Sequence, residues 1–154
     1  MSASKIYAWY KRLAGLPGGK QLFSAAVGRT ARYSGSIGAV VEHLEPGHAV
    51  VRMKDRAAIR NHLRSIHALA LANLGELSSG LAMLAGLPAD ARSIVVGLEI
   101  DYLKKARGPI TARCSCTPPD GTRDEELVVV AELFDLDEEV VARTRARWKV
   151  GPRG

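Results

Sequence analysis

From Ala68 to Leu87 the chain runs for twenty residues with one ionisable side chain, Glu76. The run is too long for a buried strand, and Ala70, Leu74, Leu77, Leu81 and Leu84 recur at helical spacing. It therefore predicts one long helix, from about Ser65 to Ala85. Ser65 is the candidate N-cap, and Gly86-Leu-Pro88 supplies the stop. A helix that is apolar on nearly every side has to be enclosed, by lipid or by the rest of the chain. Its length admits a membrane span. Asn73, Glu76, Ser78 and Ser79 near its middle, with Gly75 and Gly80, favour enclosure by protein instead. The remainder of the chain must then wrap this helix.

The flanking segments have the patterning to do so. Ile37 to Leu44 and Ala49 to Met53 read as two strands on either side of Pro46-Gly47, a pair suited to the central positions of a type II turn. Four more strands follow the helix, over residues 94–103, 110–117, 126–134 and 139–150. In the first, Val96, Leu98, Ile100 and Tyr102 alternate with Gly97, Glu99 and Asp101. In the last, Val140, Ala142, Ala146, Trp148 and Val150 share one face, and Arg143, Arg145, Arg147 and Lys149 the other. Two strands, one buried helix and four antiparallel strands make an α+β fold. A sheet wrapped round a single helix leaves edges and an apolar rim, which a second copy of the chain would cover. Before Ser36 the patterning is weakly helical near residues 4–15 and 18–31, broken at Gly15-Leu-Pro-Gly-Gly19. Residues 1–35 are thus a helical extension, and 36–154 the main domain.

The formal net charge is +6, which favours an anionic partner without choosing among nucleic acid, acidic lipid and a phosphate-bearing ligand. No acidic residue precedes Glu42, whereas Lys5, Lys11, Arg12, Lys20, Arg29 and Arg32 do. Such a leader suits a transit peptide, a membrane-surface helix or an amphipathic helix docked on its own domain, and the last is favoured. With no secretory signal evident, a cytoplasmic location is expected. The two cysteines, Cys114 and Cys116, fall on one strand face with Ile110 and Ala112, as core packing would place them. His43, His48 and His62 lack metal-ligand spacing, so no metal is expected.

Burying an unpaired carboxylate is costly or forces it to hold its proton, so Glu76 is a candidate site residue. The competing explanation is a carboxylate paired across a dimer, with Asn73 as one partner. At the start of the helix, Asn61 either orients a ligand or caps a turn, and His67 either contributes its ring or ends a loop. Lys104, Lys105 and Arg107, at a strand end, suit a phosphate or a solvated edge.

The order of elements, together with Asn61-x5-His67-x8-Glu76, resembles the hotdog-fold acyl-CoA thioesterases, in particular the phenylacetate-pathway-like branch and an uncharacterised bacterial subgroup beside it. The segment Leu98-Glu-Ile-Asp-Tyr102-Leu-Lys-Lys-Ala-Arg-Gly108 is similar to the strand this family places after its central helix. The resemblance covers about Ser36 to Val150. It implies an antiparallel sheet around one central helix, and a homodimer or dimer of dimers with active sites at the subunit interface. It implies a coenzyme A thioester as substrate and no cofactor. By position, Glu76 resembles the helix carboxylate acting as general base or nucleophile, and Asn61 the loop amide that positions water or thioester. His67 resembles the histidine opening the helix, where backbone N–H groups hold the thioester oxygen. Ala68, Asn73, Lys104, Lys105 and Arg107 are the further substrate-binding candidates. The chain departs from the family's usual His-Gly-Gly, reading His67-Ala68-Leu69, which would narrow the ligand's path. The alternative function is a non-catalytic acyl-CoA or lipid-binding hotdog protein. Nucleic-acid binding ranks last because aromatics are few, and a peripheral membrane contact through the extension stays open.

Overall fold

The computed structural model describes residues 5–153; the first four residues of the expected extension and the last residue of the expected domain lie outside them. The central helix, α4 (Ala68–Gly86), is preceded by three helices, α1 (Lys5–Ala14), α2 (Gly19–Thr30) and α3 (Arg32–Gly35), and by strands β1 (Val40–Glu45) and β2 (His48–Met53). A single 3-10 turn, Ala57–Ile59, leads into it. After it come β3 (Ala91–Tyr102), β4 (Ile110–Ser115), β5 (Glu125–Phe134) and β6 (Val140–Pro152). All six strands join one antiparallel sheet in the order β1-β2-β4-β5-β6-β3, so β1 and β3 are its edges.

The helix forms because Ala and Leu dominate it, and it stays because the sheet covers it. Leu74, Leu81, Ala82 and Met83 share one buried core with Val51, Met53, Ile110, Ala112 and Leu133 of the sheet, each large side chain contributing about 1.5–3 kcal/mol by leaving water. Small residues let helix and sheet approach closely. A Cβ on Gly75 would overlap the buried Thr144 of β6, and one on Gly80 would lie 3.1 Å from the Trp148 ring. The Trp148 indole N–H donates to Ser79 Oγ at 3.2 Å, and Ser79 Oγ donates to Glu76 O at 2.8 Å. The serines that argued against a membrane span thus satisfy themselves locally. At the far end the Gly47 N–H donates to Ala82 O at 2.9 Å, and Gly47 has φ of 82°, as a type II turn requires at its third residue.

Three expectations shift. Ser65 does not cap α4: it is buried, its Oγ donates to Asn61, and the N-cap is His67, two residues later. The delay has a cause, since the Ile66 and His67 N–H groups are held by Ala106 O and Ile59 O in extended conformation. β1 starts at Val40, because Gly38 at φ 62° turns the chain after buried Ile37. In β3 a bulge at Val96 breaks the expected alternation: Val95 pairs with Trp148 and Gly97 with Arg147. The inward-facing set is therefore Val95, Leu98, Ile100 and Tyr102.

The extension packs onto the domain. Tyr10 Oη donates to Glu42 O at 3.0 Å, and Val41 N–H to Ser24 Oγ at 2.8 Å. Phe23 is buried against Trp9 and Tyr10. On the outer sheet face the basic ladder is largely neutralised, with Arg143 on Glu132 (2.7 Å), Arg145 on Asp101 (2.7 Å) and Arg147 near Glu126 (3.6 Å). Cys114 is buried and Cys116 half-buried; the neighbouring sulfur and burial both hold Cys114 protonated.

Candidate active site

Two regions collect the polar groups singled out above. The first is a cleft of about 370 Å³ at the start of α4, lined by Asn61, Ser65, Ala68, Tyr102, Lys104 and Lys105 among others. Asn61 organises its loop and still has a free end. Its Oδ1 accepts from Leu63 N–H (2.9 Å), Ser65 N–H (3.2 Å) and Ser65 Oγ (3.3 Å). Three donors converging on one atom fix the amide's orientation and leave Nδ2 to donate elsewhere.

The helix start is similarly allocated. Leu69 N–H donates to His67 Nδ1 at 3.1 Å, and the Ala70 and Leu71 N–H groups share His67 O at 3.0 and 3.2 Å. Ala68 N–H alone in this first turn has no acceptor among the described residues, and it carries the positive end of the helix dipole. Tyr102 Oη donates to Ala68 O at 2.9 Å, tying the end of β3 to this turn; burial raises the phenol's pKa, so it remains a donor. The His67 side chain is thus a cap. Leu69, in the His67-Ala68-Leu69 stretch that departs from His-Gly-Gly, is 60% exposed and is not part of the cleft wall.

The cations at the cleft are not equivalent. Lys104 Nζ binds both Asp135, at 2.9 Å, and Glu139, and these carboxylates raise its pKa. Lys105, which lines the cleft, and Arg107, two residues on and outside its lining, are exposed, with no ion-pair partner among the described residues. Asn73 lies elsewhere: its Nδ2 donates to Tyr33 O at 3.1 Å, fastening α3 to α4.

The second region holds Glu76. It is half-buried in an apolar chamber of about 240 Å³ between α4, the extension and Trp148. No hydrogen bond or ion pair reaches its carboxylate among the described residues, and desolvation raises its pKa. Glu76 lies eight residues beyond Ala68, about 12 Å along the helix axis. Within one chain the acid and the donor cleft are therefore separate. Tyr102 and Trp148 were the participants that sequence reasoning missed; their places at inward positions of β3 and β6 were the available signal.

An antiparallel sheet in this strand order, folded about one long helix, is the hotdog fold. The family model described as a domain of unknown function, DUF4442, matches residues 19–150, and the chain belongs to that family. No curated protein matches it. Among solved structures, a protein described only as genomics APC5556 is 30% identical, with a TM-score of 0.81 over 96% of this chain and 98% of its own. A Pseudomonas aeruginosa protein of unknown function, described as a probable thioesterase, is 25% identical, with a TM-score of 0.76 over 90% of this chain and 97% of its own. A thioesterase family protein from Silicibacter pomeroyi shares the fold at 18% identity, with a TM-score of 0.72 over 84% of this chain and 96% of its own.

Proposed function

We propose that the protein is an acyl-CoA thioester hydrolase acting at an interface between two copies of the chain. The observation that carries this reading is the half-buried, unpaired Glu76, on a fold shared with proteins described as thioesterases. Glu76 takes a proton from water, and the hydroxide oxygen adds to the thioester carbonyl carbon. The resulting oxyanion accepts from Ala68 N–H and Asn61 Nδ2 of the facing copy. Collapse breaks the C–S bond, and the thiolate leaves and takes up the proton. Lys105 and Arg107, rather than the already neutralised Lys104, suit the coenzyme's phosphates.

The separation of Glu76 from the donor cleft requires the second copy, and the sheet edge supports one. β3 is an edge strand, and its inward-facing Leu98 and Tyr102 are 41% and 48% exposed. Apolar groups on an unpaired edge strand beside a buried helix suit a two-fold partner. Leu98→Arg is expected to shift the protein to monomer in sedimentation and to remove hydrolysis with it. A monomer that retained activity would overturn the shared site.

The direct test is release of free thiol from short, medium, long and aryl acyl-CoAs. Turnover supports the hydrolase. Saturable binding with no product across the series would instead support a non-catalytic acyl-CoA carrier.

A further inference from the structure

The chamber beside Glu76 has a shape that the proposed chemistry alone does not call for. Along α4 its wall runs Glu76, Gly80, Leu84, with Leu77 and Leu81 beside them, a stripe spaced at four residues. The carboxylate stands at one end, and the helix carries an apolar floor for about 12 Å beyond it. The opposite wall belongs to the extension, through Ile6 and Trp9 of α1 and Val27 of α2, and Trp148 closes the side. Glu76 is the one charged group in the lining, and Thr30 and Ser34 the other polar ones. Gly80 keeps the floor low, since a Cβ there would already lie 3.1 Å from the Trp148 ring.

We propose that the N-terminal extension and α4 together form a length-selecting chamber for an unbranched apolar acyl chain of medium length, with its carbonyl end at Glu76 and its tail toward Leu84. This rests on the acyl-CoA reading above and specifies its substrate class. The 12 Å floor gives the length: at roughly 1.2 Å of advance per bond in an extended chain, it accommodates on the order of ten methylenes. Chains much longer run past the apolar floor, and much shorter ones leave it partly uncovered. A tail ending in a carboxylate is excluded by a lining that offers it no cation.

The chain's two tryptophans, Trp9 and Trp148, both line this chamber, so occupancy has an optical readout independent of turnover. Titration of the full-length protein with the non-hydrolysable thioethers S-butyl-, S-octyl- and S-hexadecyl-coenzyme A, followed by tryptophan emission, is the test. The expected result is a blue shift with S-octyl-coenzyme A at least tenfold tighter than with either other ligand, and none with coenzyme A alone. Leu84→Ala should move the optimum to longer chains, and Val27→Phe to shorter ones. The same shift for all three ligands, or an optimum unmoved in both variants, would overturn the chamber. The two proposals fail separately. Length-selective emission changes without hydrolysis of octanoyl-CoA would remove the catalysis and keep the chamber, whereas hydrolysis indifferent to both variants would remove the chamber and keep the catalysis.

Discussion

Glu76→Gln and Glu76→Ala are expected to lower acyl-CoA hydrolysis by about 10²–10⁴-fold, the range in which a positioned general base contributes, without loss of folded stability. The two halves of this expectation have one origin. Burial raises the Glu76 pKa, so in the folded state the carboxyl holds its proton to higher pH than it does in the unfolded chain. The native state then binds more protons over that interval, and stability falls as pH rises through the folded value. Below the unfolded value Glu76 is neutral in both states and adds no such cost. Thermal melts of wild type and Glu76→Gln should therefore coincide at low pH and diverge toward neutral pH, with the variant the more stable. In catalysis the sign is reversed, because the base works only when ionised. The acid limb of kcat/KM should lie above the ordinary carboxylate range and vanish with the Glu76 carboxyl. A variant less stable than wild type at neutral pH would point to a partner for Glu76 and a structural role.

Gly75→Leu is expected to be the most damaging single change in α4. Replacing a mid-helix glycine normally gains up to about 1 kcal/mol of helix propensity. Here the new Cβ would overlap Thr144, which is fully buried on β6 and cannot swing into solvent. Overpacking of this kind costs about 1–3 kcal/mol, and more when backbone must move. A net loss of about 2 kcal/mol lowers the melting midpoint of a chain this size by about 4–8 °C. The milder Gly75→Ala should be rescued in part by Thr144→Ala, with a favourable coupling of about 1 kcal/mol in the double-mutant cycle. Independent, additive losses would show that Gly75 and Thr144 do not meet.

The order of elements was legible because each carries its own local signal. The twenty-residue apolar run called for an enclosed helix, Pro46-Gly47 for a turn, and the alternation from Ala142 to Val150 showed which side of β6 faces inward, although at its start Val141 rather than the expected Val140 is the buried residue. Where a signal depends on a neighbour, the sequence falls silent. The bulge at Val96 is settled by β6, whose Trp148 and Arg147 pair with Val95 and Gly97 and leave Val96 without a partner. The start of α4 slips from Ser65 to Ala68 because Ala106 and Ile59, distant in the chain, hold the preceding backbone extended.

The site divides in the same way. The sequence by itself set Glu76 within an apolar helix that has to be enclosed, and Asn61 and His67 at the helix entrance; the fold leaves Glu76 half-buried. Only the tertiary structure decided what each is free to do. Asn61 spends its oxygen on its own loop and keeps its nitrogen, and His67 spends its ring on Leu69. Lys104 is matched by Asp135 and Glu139, thirty-one and thirty-five residues away, whereas Lys105, next in the chain, has no ion-pair partner among the described residues. Asn73, which looked like a site residue, fastens the extension. A residue's type and position follow from the chain, but a polar group acts through whichever atoms its neighbours leave unsatisfied, and those neighbours are assembled by the fold.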